Sequence, residues 1–600
     1  MKQPRVSKRE RKLHLSYELP HRIHSSLLYP ISAPNGSTLI IYGHDRGLKA
    51  LWRGGRRRCE TPRASAPRTN GTQHTDVILI DDSDDEGHAD EPVEDQFEKE
   101  EEELDPDCPY PSAIQDLDIR LDRSVLHVAA PPLQTSALTP AILKKVAVVA
   151  ITSSDGSVRL LQIPLSPPSD EQKGQTLQDV SDSKIVLHPS GGIISDLSAK
   201  YLPIDNQPLT APKRQQEDVE GHLLVAAASR ALSIWSISVT ADNLFVEDQR
   251  PTHKVQLANS LCKISFHPST RSAQLLVGDR LGAARIYDPY AFRTPQKRPD
   301  SSGSATEPNP NLGDPGIWIM TYHTTFALPK DGSLPAALTR RKRLLDAKWV
   351  LGGKGILALL EDSQWGVWDV SGTSRPARLV EAFAIDGFLT SPSANEPVEP
   401  VRPKRGSSKL APMTPNTRKS KSEQFYSGDS KSKLSEAVAK GGISVATNHP
   451  RSGQSDESVI LWHNSDVYTI PSMQSFWQRS TTSGGIGSLY APGISHVTEL
   501  DPMHEIISSI SLFATKSSSA GIGAMNTQRD LLVSTEYHII VLQQLRAQTT
   551  ARSLFQAAER PASRDQQMLD AGALDLAGMD RVLDGMAAGG GPARKVGFAT

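Results

Sequence analysis

The chain has 600 residues, too many for one ordinary domain unless it forms a single large repeat fold. Its 37% apolar and 5% aromatic content is low for a globular chain, and a formal charge of -2 excludes a generally basic nucleic-acid coat. Three cysteines, Cys59, Cys108 and Cys262, lie too far apart for a local zinc spacing and make no disulfide framework, so a reducing, intracellular setting is expected.

From the start, Met1 to Lys12 is basic with no apolar core behind it, so no secretory leader is expected, and residues 1–22 read as a basic N-terminal segment. A repeated design follows: an apolar run, a short polar turn, then an alternating run that ends in a large residue. The copies are Leu39–Tyr42 with Leu48–Trp52, Val146–Ile151 with Val158–Ile163, Leu223–Ala227 with Leu232–Trp235, and Leu275–Val277 with Ala284–Tyr287. Further on come Ile356–Leu360 with Trp365–Trp368, Val459–Trp462 with Val467–Ile470, and Leu531–Val533 with Tyr537–Leu542. Each reads as a β-hairpin around a turn containing Gly, Asp, Asn or Ser. Strand-like runs precede most of them, among them Ile193–Leu197, Leu261–His267, Leu345–Leu351 and Ile506–Phe513.

Polar, low-complexity stretches interrupt the repeats at about 56–108, 292–313 and 391–435, and a further one follows the last hairpin. The first is strongly acidic, with sixteen Asp or Glu against Lys99 alone between Asp81 and Asp107. Self-repulsion at that density prevents packing, so these stretches read as disordered insertions. A hairpin with a strand on each side is one blade, and seven blades in a ring bury the faces that a single blade cannot. The predicted fold class is therefore all-β: a seven-bladed WD40-like β-propeller over residues 23–545, with long disordered insertions and a partly helical C-terminal tail over 546–600. The repeat signature is degraded, Trp368-Asp369 being its one true Trp-Asp pair and Tyr287-Asp288 an approximation. For ring closure, Ile23–Ile31 is a candidate to complete the last blade beside Tyr537–Leu542.

No catalytic motif is found: there is no phosphate-binding Gly loop ending in Lys-Ser or Lys-Thr, no His-Glu-x-x-His and no nucleophile elbow. Asp155-Gly156 reads as turn chemistry, and His188-Pro189 and His267-Pro268 read as strand ends. No run approaches 18 apolar residues, so no membrane insertion is expected. The chain is read as a non-enzyme without cofactor or metal, without small-molecule substrate and without a specific nucleic acid.

Its remaining signals concern binding. Val77, Ile78, Leu79 and Ile80, followed by Asp81 and Asp82, have the chemistry of a SUMO-interacting strand, whose acids meet a basic rim; the alternative is an ordinary blade strand. Ser83 lies in an acidic context where phosphorylation would add to that charge, and Thr414, before Pro415, is a candidate proline-directed site, as are Ser391 and Thr294. Arg402, Lys404, Arg405, Arg418, Lys419 and Lys421 suit a nuclear localisation signal, or a loose phosphate contact. In the tail, Leu569, Leu574, Leu576, Met579, Leu583 and Met586 form an amphipathic stripe over 569–586. Such a helix is marginal alone, so it either docks back on the propeller or enters a partner groove.

Several strings carry a family resemblance: Tyr17–Ile23, Ile40–Gly47, Leu51–Arg56, the aliphatic-acidic Val77–Glu86, and the tail strings Met579–Met586 and Arg594–Phe598. Together they resemble filamentous-fungal forms of the thirty-seven-kilodalton nucleoporin family. The resemblance implies a propeller scaffold at the nuclear pore, in the nuclear envelope, within the Y-shaped outer-ring complex. It further implies docking on a large nucleoporin made of a propeller and an α-helical solenoid, in support of nucleocytoplasmic transport. The chain departs from the compact members of that family by its inserted loops and tail. The competing reading is a nuclear WD-repeat adaptor in ribosome biogenesis or chromatin, which would recruit basic partners through the acidic stretch.

Overall fold

The computed structural model describes residues 3–9, 12–58, 110–133, 139–189, 192–204, 219–246, 248–291, 316–326, 340–371, 379–380, 383–389, 439–448, 456–481, 493–514 and 529–544. Residues Met1–Gln544 form one compact unit. Its strands assemble into seven sheets, each built on one of the expected hairpins and antiparallel except where Leu379–Val380 joins Ile317–His323 in parallel. The hairpins are Thr38–His44 with Gly47–Arg53, Val146–Ser153 with Val158–Pro164, Val219–Ala228 with Ala231–Thr240, and Leu275–Asp279 with Ala283–Asp288. They continue with Gly355–Leu360 and Gln364–Asp369, Asp456–His463 and Asp466–Ile470, and Arg529–Ser534 and His538–Gln544.

An inner strand precedes each hairpin: Ile23–Leu28, Val125–Ala129, Asp196–Pro203, Leu261–Phe266, Leu344–Val350, Gly441–Asn448 and Ser509–Ala514, in blades 1 to 7. Every inner strand packs beside the next, and that of blade 7 returns to that of blade 1, so the fold is a closed seven-bladed β-propeller. Leu, Ile, Val and Ala fill the strands because each sheet is buried on both faces between its neighbours. The core is accordingly a series of layers between blades. Trp235 and Val225 pack with blade 2, Leu232 and Ile234 with blade 4, and Trp368 and Ala358 with Tyr322 of blade 4. Antiparallel order puts the hairpin turns and the blade-to-blade connections at one end of the ring, here the turn end. The other two connections of each blade lie at the opposite end.

Closure differs from the expectation. Ile23–Leu28 opens blade 1, and Lys12–Glu18 pairs with His538–Gln544 from Lys12 opposite Gln544 to Glu18 opposite His538. Arg5–Arg9 adds an outer strand beyond it. The basic segment expected over 1–22 thus holds two strands of blade 7, and the ring begins well before residue 23. The reason lies in the alternation Lys12-Leu-His-Leu-Ser-Tyr-Glu18, which buries Leu13, Leu15 and Tyr17 on one face. On its other face Ser16 meets Met503 and Lys12 pairs with Glu499, both from the connection that leads into blade 7. The order also reaches into the first insertion, since the Arg56 amide donates to the Asn35 carbonyl at 2.8 Å and the Arg58 guanidinium to Gln172 at 3.1 Å.

Closure through Lys12–Glu18 makes Leu15 a keystone and Val6 a bystander. Leu15 is fully buried and Val6 is 45% exposed. Leu15→Ala is expected to lower unfolding stability by about 2–5 kcal/mol, whereas Val6→Ala stays within about 0.5 kcal/mol of the parent in urea titrations.

Candidate functional site

The inner edge of each blade faces the axis, where no further strand satisfies its backbone amides. Side chains supply those partners. Asp196, at the start of the blade 3 inner strand, accepts the Ile264 amide of blade 4 at 2.8 Å, and Asp346 of blade 5 accepts the Ile443 amide of blade 6 at 2.8 Å. Inner strands bulge near this level in blades 1, 2, 4 and 5, at Ile23/Ser25, Val125/His127, Leu261/Lys263 and Leu344/Asp346. A bulge turns one backbone group away from its own ladder and toward the neighbouring blade. Asp196 also meets Lys263 at 3.4 Å, and this carboxylate holds the ammonium above its ordinary range. Burial pushes the neighbouring Cys262 thiol up to about 12 and His127 down to about 4, so both are neutral near pH 7. A thiol held protonated is a packing group and no nucleophile.

At the opposite end, three side chains tie blades 3 to 6 together. Lys200 is 2% exposed and donates to the carbonyls of His267, Ser269 and Ser272, in the first turn of blade 4, at 2.5–2.6 Å. Burial lowers its pKa to about 7, and the carbonyl cage supplies the partners a buried ammonium needs. His267 reaches on to blade 5: its ring lies edge-on to Trp349, 4.8 Å between centroids, and covers Gly353 so closely that a Cβ there would stand 2.0 Å from Nε2. From the far side Glu457 of blade 6 accepts the amides of Leu351 and Gly352 at 2.6 and 2.8 Å. Leu351, Gly352 and Gly353 are all left-handed, with φ of 57°, 65° and 93°, which points successive amides into one carboxylate-sized concavity. The same turn is therefore gripped from both neighbours.

These strongly shifted groups have structural partners, in the adjacent blade for Asp196, Lys263, Lys200, His267 and Glu457, and within blade 4 for Cys262, whose thiol donates to the Gly278 carbonyl. Among the described residues, no group of three or more His, Cys, Asp or Glu could hold a metal, and no helix is long and apolar enough to cross a membrane. Asp155 serves its turn as expected, accepting Ser157 N–H and O–H at 2.9 and 2.7 Å beside Gly156 at φ 80°. His188 and His267 both directly follow strands.

A cleft of about 630 Å³ lies at the turn end, where the connection into blade 7 passes the blade 6 hairpin turn. Lys440, Asp466, His496, Leu500, Asp501 and Ile506 are among its lining residues. Asp501 is engaged by Arg9 at 2.8 Å, and Glu505 holds Thr535, the Tyr537 amide and His538. The cleft is thus walled by the same connection that covers the closing strand. Apolar Val497 and Leu500 stand in its lining beside Lys440 and the His496–Asp466 pair, 3.9 Å apart, a mixture that suits a protein segment.

The sequence-read binding residues fall elsewhere. Val77–Asp82, Ser83, Thr294, Ser391, Arg402–Lys421 with Thr414, and Leu574–Met586 all lie outside the described residues. Sequence reasoning missed the inter-blade clamps. A lysine within Asp196-Leu-Ser-Ala-Lys-Tyr201 was the one visible signal, since all of that strand but Ser198 is buried and charge is rare in such a strand.

Engaged charges between its blades hold the propeller as a rigid body. A family model described as the nucleoporin NUP37 N-terminal domain matches residues 16–542, from the closing strand to the last strand of blade 7. The chain belongs to the nucleoporin NUP37 family. A curated relative, nucleoporin NUP37 of Chaetomium thermophilum, is 31% identical over 536 residues, covering 80% of this chain and 69% of the relative. Membership of this nucleoporin family places the protein in the nuclear pore complex at the nuclear envelope.

The grip on the blade 5 turn has a pH signature. His267 Nδ1 accepts the Ser269 amide at 3.1 Å, and burial, then the Lys200 charge, lower its pKa to about 4. Between pH 6.5 and 4 the unfolded chain binds a proton at this site that the folded chain refuses, so stability falls as pH falls through that window. The loss is at most about 1.4 kcal/mol per pH unit for each such histidine. His267→Asn, whose amide oxygen can accept the same Ser269 N–H, should show a shallower decline in urea midpoint from pH 7 to pH 4.5. Parallel declines would place the sensitivity elsewhere.

Proposed function

We infer that this nucleoporin is a non-enzymatic scaffold subunit of the outer-ring Y complex, docking its propeller onto a larger nucleoporin built of a propeller and a solenoid. The observation that carries the reading is the extent of the family match, residues 16–542, which takes in every blade. A ring fixed by clamps between blades loses little conformational freedom on binding, which favours stable docking. Support of nucleocytoplasmic transport follows from that place in the pore.

The segments outside the described residues add three further proposals. Val77–Asp82 with Ser83 would add as a strand to a SUMO-type partner, strengthened by phosphate. Arg402, Lys404, Arg405, Arg418, Lys419 and Lys421 would serve nuclear import, with Thr414 as a modification point between the two basic clusters. Leu574, Leu576, Met579, Leu583 and Met586 would present an apolar stripe to a partner groove.

Affinity purification of the tagged full chain from native extract, at moderate and then high salt, tests the central reading. Outer-ring nucleoporins are expected in near-equal amounts at both salts, because a docked scaffold interface is not held by exposed charge alone. Ribosomal factors or histones recovered only at moderate salt, without outer-ring proteins, would replace the scaffold by the adaptor.

A further inference from the structure

Exposed apolar side chains are unevenly distributed over this propeller. Among the described residues, Ile193, Leu281, Phe326, Phe388, Ile506 and Tyr537 all stand on the turn end, against Ile204 and Phe245 at the opposite end. Three of the six lie on neighbouring blades 4 and 5 and are half exposed: Leu281 at 50%, Phe326 at 50% and Phe388 at 51%.

Hydrogen bonds join them into one surface. The Thr324 amide donates to the Gly282 carbonyl, next to Leu281, and the Thr324 hydroxyl donates to the Lys342 carbonyl at 2.7 Å. Phe326 is bridged to Arg341, whose guanidinium lies 4.4 Å over the ring while donating to the Thr324 carbonyl. Lys342 stands 5.4 Å from the Phe388 ring centre and pairs with Asp362 at 2.7 Å. Exposed Arg280 and Arg340 flank the row, and Arg343 lies 3.7 Å from Glu361. Five cations thus stand among three apolar side chains, with Asp362, Glu361 and Asp386, which accepts from Gln364 at 2.8 Å, as nearby counter-charges.

We propose that this row on the turn end of blades 4 and 5, Leu281, Phe326 and Phe388 with Arg280, Arg340 and Arg341, is a docking surface for an acidic, apolar-bearing segment of a partner protein. Arg beside aromatic rings is the composition of interface hot spots. Charge selects the partner: the excess of cations attracts carboxylates, and three hydrophobic side chains require an apolar counterpart. A nucleic acid fits less well, because Asp362 and Glu361 lie within the row and repel a phosphate backbone. The surface rests on the scaffold reading only for the identity of its partner, which would be the larger nucleoporin.

The test uses the full-length chain carrying a photo-crosslinking phenylalanine analogue at position 388, with position 245 at the opposite end as control. Irradiation in native extract is expected to link position 388, and not 245, to one protein through a peptide rich in Asp and Glu. The variants Arg280→Glu with Arg340→Glu, and separately Phe388→Ala, change only exposed side chains. Each should lower recovery of that partner at least tenfold without moving the thermal midpoint of the isolated chain by more than a few degrees. No crosslink above the control, a crosslink to RNA, or one to this chain's own residues 327–339 or 390–438 would overturn the proposal. So would undiminished recovery with both variants. A crosslinked acidic partner foreign to the pore would retain the surface and reject the scaffold reading. Outer-ring proteins recovered with nothing linked at 388 would do the reverse.

Discussion

The structure depends on one pairing, the antiparallel ladder between Lys12–Glu18 and His538–Gln544. A blade is buried on both faces only while it has two neighbours, so an open ring would leave the faces of blades 7 and 1 wet. Every other interaction presupposes that circle. The inner strands pack edge to edge around the axis, Asp196 and Asp346 bridge adjacent blades there, and Ser26 of blade 1 meets Ser509 and Ser534 of blade 7 at 2.7 Å. Joining the two ends of the chain in one sheet converts local blade stability into a cooperative whole. This pairing is also the ladder with the highest sequence separation, and so the one with the largest loop-closure cost.

Around that circle, charged side chains act between blades. Lys200 and Glu457 are complementary cases: an ammonium in a carbonyl cage, and a carboxylate in a concavity of amides. Both satisfy backbone groups of a turn in the adjacent blade, and truncating either would be costly, because buried carbonyls or amides would be left without a partner. This accounts for groups whose ionisation is strongly shifted without an active centre to employ them. The same rigidity is what a scaffold offers a partner.

The seven hairpins were legible because turn chemistry and apolar runs are local signals. Asp155-Gly156 and the runs on either side of it declare their turn whatever the rest of the chain does. Closure was not legible in the same way. Lys12-Leu-His-Leu-Ser-Tyr-Glu18 alternates cleanly, but it is embedded in basic residues, and its His14 and Ser16 are buried only because the distant connection around Asp501 and Met503 folds over them. The more apolar Ile23–Ile31 was the better local candidate and proved to belong to blade 1. The surfaces fared likewise: Phe326 and Phe388 are 62 positions apart in sequence and meet through Arg341 and Lys342, a contact only the ring creates. The low-complexity stretches declared themselves by composition, which locates candidate motifs without saying what they touch.

Hydrogen exchange of backbone amides in the full chain tests the closing ladder most directly. Amides of residues 12–18 should exchange as slowly as those of 538–544, and both sets should lose protection together as urea is raised toward the unfolding midpoint. Rapid exchange over 12–18 beside a protected 538–544 would contradict the account, since blade 7 would then stand without its closing strand and the ring would be held by other means.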